Sequence, residues 1–463
     1  MDADAIGRAL EDARRLAEDG RTGEARDAYL RIVAAAPDHP RALTDFGTFL
    51  VRNGFRAAAR TLYERAVSLA PQSALAHANL AGALYADTDY EGARRAYEAA
   101  LALDPAMTAA HQGLSYALTR LDREDEALVH RRLGFAGRAV STAPYRGAGR
   151  PRDVLLLVAA RGGTIYTESF LDADTFRVTT LVADAYAGEP LPATDVIFNA
   201  IADADRAGAE LRAMEALLRD ARAPLLNPPA RVLATAREAG AQRLAALPGV
   251  VAPRVARAAA ADLIADPGGT AARLGFAFPL LVRAPGFHTG RHFERAENAG
   301  ELATAVATFP ASETLLIEYI DIRNSDGAAR KYRVMAIGGA LYPLHAAVAG
   351  DWKVHYATAG MERDAAKRAE DERFLADPRA AIGARAYAAL ERIRDEIRLD
   401  YMGIDFALTR DGRVVAFEAN ATMIVLPPGP EPIWDYRRAP VERVLGAAKK
   451  LLLRHNETAP PTA

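Results

Sequence analysis

The chain has 463 residues, half of them hydrophobic, and a formal net charge of −2. That is enough apolar material for two or three domains with their own cores, and the charge balance points to neither nucleic acid nor a membrane surface as partner. There is no cysteine, which excludes disulfides, thiolate metal sites and a cysteine nucleophile.

The start, Met1-Asp2-Ala3-Asp4, is acidic and leads straight into a helical pattern. With no signal peptide and no apolar run of about 20 residues, a soluble cytoplasmic protein is expected. The first third then repeats. Pro37, Pro71 and Pro105 stand 34 residues apart, as do Tyr29, Tyr63 and Tyr97, and Ala25, Ala59 and Ala93. Two further columns keep the step: Ala42, Ala76 and Ala110, and Phe46, Leu80 and Leu114. Apolar residues between them recur at helical spacing, so each unit reads as a helix pair, with small alanines at the close approach. The pattern resembles the tetratricopeptide repeat over residues 1–135. Leu16 and Gly20 precede Leu50 and Gly54 by one period, which reads as the second helix of an incomplete leading repeat. Glu124 to Leu133 reads as the opening of a fourth, capping unit. The resemblance implies an all-α solenoid with a concave face for a peptide or protein partner.

Residues 136–151 hold several glycines and prolines and read as a linker. Val154-Leu155-Leu156-Leu157-Val158 and Val196-Ile197-Phe198-Asn199 read as buried parallel strands. Residues 211–219 read as a helix, and Asn227-Pro228-Pro229 as a helix start with Asn227 at the N-cap. Residues 152–235 are therefore expected to form a small doubly wound α/β domain.

Four ordered segments follow. Leu280-Leu281-Val282-Arg283 is a strand ending on a cation, and it runs into a loop with Gly286, His288, Thr289, Gly290 and His292. Such a loop can close over phosphates through its backbone N–H groups. Leu315-Leu316-Ile317-Glu318-Tyr319-Ile320-Asp321 is a second strand running into a short segment, and Lys331-Tyr332-Arg333-Val334 begins a third. Lys331 and Arg333 share a face by parity, and an inward guanidinium there needs an anion. Asp405, the turn at Asp411-Gly412, and Phe417-Glu418-Ala419-Asn420 form a hairpin. Glu418 and Asn420 point to one face and the pairing can bring Asp405 beside them, a set of oxygen donors suited to a hard cation.

This order resembles the ATP-grasp superfamily over residues 152–455, which implies ATP and Mg²⁺ as cofactors and a small α/β domain followed by two α+β subdomains (residues 236–455) with antiparallel sheets. By that resemblance Arg283 and Arg237 hold phosphates where the family usually has lysines, and the 286–292 loop, with His288, Thr289 and Gly290, covers them. Glu318, Tyr319 and Ile320 form the adenine hinge, and Asp321 reaches the ribose. Arg333 faces the γ-phosphate or an acyl phosphate, with Lys331 beside it. Lys353 or His355, in the stretch after the next strand, orients substrate. Asp405, Glu418 and Asn420 bind Mg²⁺. Trp434 reads as packing, and residues 456–463 as a disordered tail. The implied activity is an ATP-dependent carboxylate–amine ligase acting on an amino acid, peptide or protein. A kinase and a non-catalytic nucleotide-sensing interaction protein are the alternatives.

Overall fold

The computed structural model describes residues 2–121, 123–287, 290 and 292–454. The segments 288–289 and 455–463, with Arg291, lie outside them, so His288, Thr289 and the expected disordered tail have no structural account. Two compact units divide between Arg138 and Ala139.

The described residues of the first unit form helices α1 (Ala3–Glu18), α2 (Thr22–Ala35), α3 (Pro40–Arg52), α4 (Arg56–Leu69), α5 (Ala74–Ala86), α6 (Tyr90–Leu103), α7 (Thr108–Arg120) and α8 (Glu124–Phe135). The even-numbered helices begin at 22, 56, 90 and 124, so the 34-residue step is the step of helix pairs. Ala25, Ala59, Ala93 and Ala127 have no exposed surface, and Tyr29, Tyr63 and Tyr97 are buried beside them. The absence of a large side chain there lets the two helices of a pair close up. Two expectations need correction. Leu16 lies in α1 and its equivalent Leu50 in α3, so α1 is the first helix of a complete pair, not the second of a partial one. Likewise α8 packs on α7 and completes a fourth pair instead of opening one. The turn after the first helix of a pair needs a left-handed residue. Gly20 and Gly54 supply it at φ 75° and 84°, and Thr88 stands at the equivalent place in the third pair with φ 65°.

The second unit is an α/β region with three sheets. In the first, β1 (Val140–Thr142), β2 (Arg152–Val158), β3 (Phe176–Val182), β4 (Val196–Asn199) and β5 (Leu225–Leu226) lie in the order β1-β3-β2-β4-β5. The three pairings from β3 to β5 are parallel, and β1 is antiparallel on the β3 edge. The expected linker thus contains a strand. Its β-branched residues suit an edge, and Thr142 Oγ1 lies 2.8 Å from Thr179 Oγ1. The sheet is mixed rather than doubly wound, with one described helix, Gly208–Leu217, between β4 and β5.

Asn227 is not the N-cap of the next helix; Pro228 is. Asn227 sits fully buried at φ 52° and reaches sideways. Its Nδ2 donates to the Tyr401 carbonyl, its Oδ1 accepts the Tyr401 N–H, and its own N–H donates to Asp400 Oδ2, at 2.8, 2.9 and 2.8 Å. A side chain that pairs like a strand residue was worth more here than a helix cap, because it satisfies both backbone groups of Tyr401 inside the core.

β6 (Val250–Val251), β7 (Val255–Ala259), β8 (Leu280–Arg283), β9 (Phe293–Ala296) and β10 (Glu313–Glu318) follow. The last four form an antiparallel sheet in the order β7-β10-β8-β9. β11 (Ala329–Ile337), β12 (Ala340–Ala349), β13 (Tyr401–Leu408) and β14 (Val414–Asn420) form the third sheet, β12-β11-β13-β14-β6, antiparallel except for β6. One face of it joins the large core, where Tyr332 stacks on Phe406 and lies tilted against Phe374. The opposite face carries Ala329, Ala347, Ala407 and Val415 in a smaller cluster. By alternation along β11 and β13, Lys331, Arg333 and Asp405 belong to that second face.

Candidate functional site

The β13–β14 hairpin closes through a tight turn. Thr409 N–H donates to the Arg413 carbonyl, and Gly412 takes φ 76°, which a side chain would resist. In the resulting register Asp405 opposes Glu418 and Gly403 opposes Asn420, with a bulge between Asp405 and Phe406. The hairpin therefore gathers the three expected oxygen donors. Gly403 is required at its place, since a Cβ there would lie 2.1 Å from Met423 Cγ.

Asp405 is fully buried and its oxygens are shared between two cations of the neighbouring strand. Arg333 donates Nε to Oδ1 at 2.5 Å and Nη2 to Oδ2 at 2.8 Å, and Lys331 Nζ lies 2.6 Å from Oδ2. Burial alone would raise the carboxyl; the Lys331 and Arg333 charges overcome it and hold the group far below the usual carboxylate range. The anion expected opposite Arg333 is thus Asp405 itself. Glu418 takes Arg237 at 2.9 Å. Burial raises its carboxyl and Arg237, the next largest influence, pulls it down, with a net fall. Asn420 donates to Glu418 Oε2 at 3.3 Å, and its Oδ1 accepts from the Thr422 N–H and hydroxyl.

Arg283, at the end of β8, has a different environment. Its Nη2 donates to the Phe287 carbonyl, and its buried Nε has no hydrogen-bond partner. Burial, and then the like charge of Arg237, push this guanidinium down to about 10. A buried arginine short of an acceptor beside a second arginine is an anion-seeking arrangement.

Two residues that the sequence reading missed complete this corner. Asp205 Oδ2 accepts the Arg237 N–H at 3.0 Å and Oδ1 accepts from Arg257 at 3.1 Å. Asp203 Oδ1 accepts the N–H groups of Asp205 and Arg206. Both lie just beyond the carboxyl end of β4, where open parallel sheets place ligands; that position was the available signal. Asp203, Asp205, Arg237, Phe287, Asn420 and Thr422 line a narrow cleft of about 10 Å³, space for about one water.

Across β11, His345 is the register partner of Arg333 and was also missed. A row of side chains, His345, Arg333, Asp405 and Glu418, thus crosses four strands. Burial, then the Arg333 charge, hold His345 well below its ordinary value, so it is a neutral imidazole. No sequence pattern in β12 foretells this, since the pairing across a bulge decides it.

The remaining expected residues fall as follows. Glu318 ends β10, and its carboxylate accepts the Arg254 N–H at 3.1 Å. The Tyr319 ring carries Arg295 at 4.2 Å, and Ile320 packs on the cluster beneath Lys331 and Arg333. Asp321 is engaged by Arg323 at 2.6 Å, whose hydrogen bond pulls its carboxyl down to about 2. Lys353 turns to the β8–β9 connection: Nζ donates to the Phe293 carbonyl at 2.9 Å, and a Cβ at Gly290 would meet its Cε at 2.8 Å. His355 accepts the Ala357 N–H on Nδ1. His292 packs against Phe287 and Phe309. Trp434, half-buried, packs near Tyr356, the packing role expected of it.

Among the described residues no three His, Asp or Glu side chains are grouped to hold a metal ion. Asp405, Glu418 and the Asn420 amide are a chemically suitable donor set for a hard divalent cation, with both carboxylates now neutralised by Arg333, Lys331 and Arg237. No described helix is long and apolar enough to cross a membrane.

No family model matches the chain, and no curated protein matches it. Among solved structures, "Crystal structure of MamA" is 21% identical, covering 27% of this chain and 72% of its own, at a TM-score of 0.26. MamA 41-end from Desulfovibrio magneticus RS-1 is 25% identical over 27% and 71%, at 0.26. The first TPR of Spaghetti (RPAP3), bound to HSP90 peptide SRMEEVD, is 25% identical over 26% and 96%, at 0.25. At these TM-scores the likenesses carry no argument about function. The helical array here rests on its own 34-residue geometry.

Proposed function

We propose that the second unit is an ATP-grasp-like ligase, which activates a carboxylate with ATP for attack by an amine, and that the helix pairs recruit a peptide or protein. The observation that carries the reading is the buried Arg283 Nε without an acceptor, set beside Arg237 and within the field of Glu418. A triphosphate supplies the oxygens that Arg283 lacks. The cleft must widen to admit it.

In this reading Arg283 and Arg237 hold the phosphate chain, and Lys331 and Arg333 offset the repulsion between a phosphate and an incoming carboxylate. Asp405, Glu418 and Asn420 would hold Mg²⁺, which supplies Lewis-acid charge stabilisation when bound. The γ-phosphoryl group passes to the carboxylate oxygen, and ADP leaves. The amine then attacks the acyl carbon, the C–O bond to phosphate breaks, and the amine proton is lost. The protein contributes orientation and a dry field. Glu318–Ile320 as adenine hinge, and Asp321 at the ribose after release from Arg323, belong to the same proposal.

The test is ADP release screened over pools of amino acids and peptides as acid and amine, with Glu418→Gln as control. Release that needs both an acid and an amine supports the ligase; release with an acceptor alone supports a kinase. Saturation of Asp405 by Arg333 and Lys331 favours one second reading, a site that binds nucleotide without turnover. Under it Asp405→Asn leaves biological function intact.

A further inference from the structure

Helix α8 is tied to α7 by polar groups as well as by an apolar face that includes Ala127. Its buried residues are Ala127, Arg131, Gly134 and Phe135. Arg131 Nη2 donates to Thr119 Oγ1 at 2.9 Å, and Gln112 Nε2 donates to the Gly134 carbonyl at 2.7 Å. Next to these ties His111 of α7 meets His130 of α8, Nδ1 to Nδ1, at 2.8 Å. His111 Nε2 lies 3.0 Å from the Pro105 carbonyl. A carbonyl only accepts, so His111 carries its proton on Nε2, and its Nδ1 is a bare acceptor. His130 must then donate from Nδ1.

We propose that the His111–His130 contact is a proton-sensitive latch that holds the last helix of the repeat array. One added proton is tolerated. It enters on His130 Nε2, near Glu98 of α6 and Glu126 of α8, whose charges favour it, and His130 Nδ1–H still donates. A second proton has only His111 Nδ1 to occupy, where it opposes an N–H at hydrogen-bond distance. The bond then becomes a repulsive contact between two imidazolium ions, and α8 is left with Arg131, Gln112 and a small apolar face. Burial and the His111 charge already hold His130 below its ordinary value. The sign follows for His130: an imidazole held neutral in the fold stabilises it above the ordinary value, and that stability is lost as pH falls through it.

The test is hydrogen exchange on the full chain, corrected for intrinsic rate, between about pH 8 and about pH 5.5. Protection of Glu124–Phe135 is expected to fall on acidification, by roughly tenfold for each pKa unit separating the folded and unfolded imidazoles. Protection of α3 and α4 in the same sample stays constant. In His111→Gln the amide oxygen accepts from His130 and does not titrate, so the pH dependence of α8 shrinks to the part left by the burial of His130, while protection at neutral pH remains. Flat protection in the unaltered chain, or an undiminished fall in His111→Gln, overturns the latch. Should that variant misfold, ¹⁵N resonances of the histidine rings at neutral pH decide. A proton on His111 Nε2 with a bare Nδ1 supports the latch, and a proton on His111 Nδ1 overturns it.

Discussion

Arg333 and Asp405 meet across paired strands as a two-point contact, at 2.5 and 2.8 Å, with Lys331 closing the second oxygen. The carboxylate has no exposed surface, so removing its charge strands two cations. Asp405→Asn is expected to cost about 3 kcal/mol in urea unfolding at neutral pH. The sign with pH is fixed by the depressed carboxyl. Its contribution is present above the ordinary carboxylate value of about 4 and is lost as pH falls toward the folded value. The acid limb of the unaltered chain should therefore be steeper than that of Asp405→Asn, which a series of unfolding curves at falling pH reads directly.

Arg283 gives the opposite expectation. Its buried Nε has no acceptor and Arg237 repels it, so Arg283→Gln should leave melting unchanged or raise stability by about 1 kcal/mol. The same change should weaken MgATP binding by roughly tenfold or more, since charge-assisted contacts to phosphate are lost. A variant that is destabilised and binds normally would assign Arg283 to the scaffold.

Thr88 occupies the left-handed place that Gly20 and Gly54 fill in other pairs. Thr88→Gly is expected to stabilise the array by up to about 1 kcal/mol, the steric cost of a β-branched residue there less the added chain entropy of glycine. Thermal unfolding of the two proteins side by side checks it.

Asn227 ties β5 to the start of β13 by three hydrogen bonds in the core. Asn227→Ala leaves both Tyr401 backbone groups unpaired and puts alanine at positive φ. A loss of about 3 kcal/mol is expected, and a loss within about 0.5 kcal/mol would show that water replaces the amide.

How far these relationships were legible depends on how local they are. The 34-residue step could be read because each helix pair packs on its neighbours in sequence, so Ala25, Ala59 and Ala93 keep one environment. The order within a pair could not be fixed by Leu16 and Gly20, because both helices of a pair carry the same apolar spacing. Alternation put Lys331 with Arg333, and Glu418 with Asn420. The partner of Arg333 required the β11–β13 register, a long-range fact, and His345 required the register on the other side. Asn227 reads as a cap because a proline follows it; the competing use, pairing with Tyr401, lies 174 residues away. Asp203 and Asp205 follow a strand whose neighbours are set only by the assembled sheet.

The central claim is that the β13–β14 hairpin and Arg283 together receive a nucleoside triphosphate with a divalent cation. Isothermal titration of the full chain with ATP, with and without Mg²⁺, tests it most directly. The account predicts saturable binding that strengthens with Mg²⁺ and loses that enhancement in Glu418→Gln. Absence of ATP binding in either condition, or equal affinity with and without the metal, would contradict it.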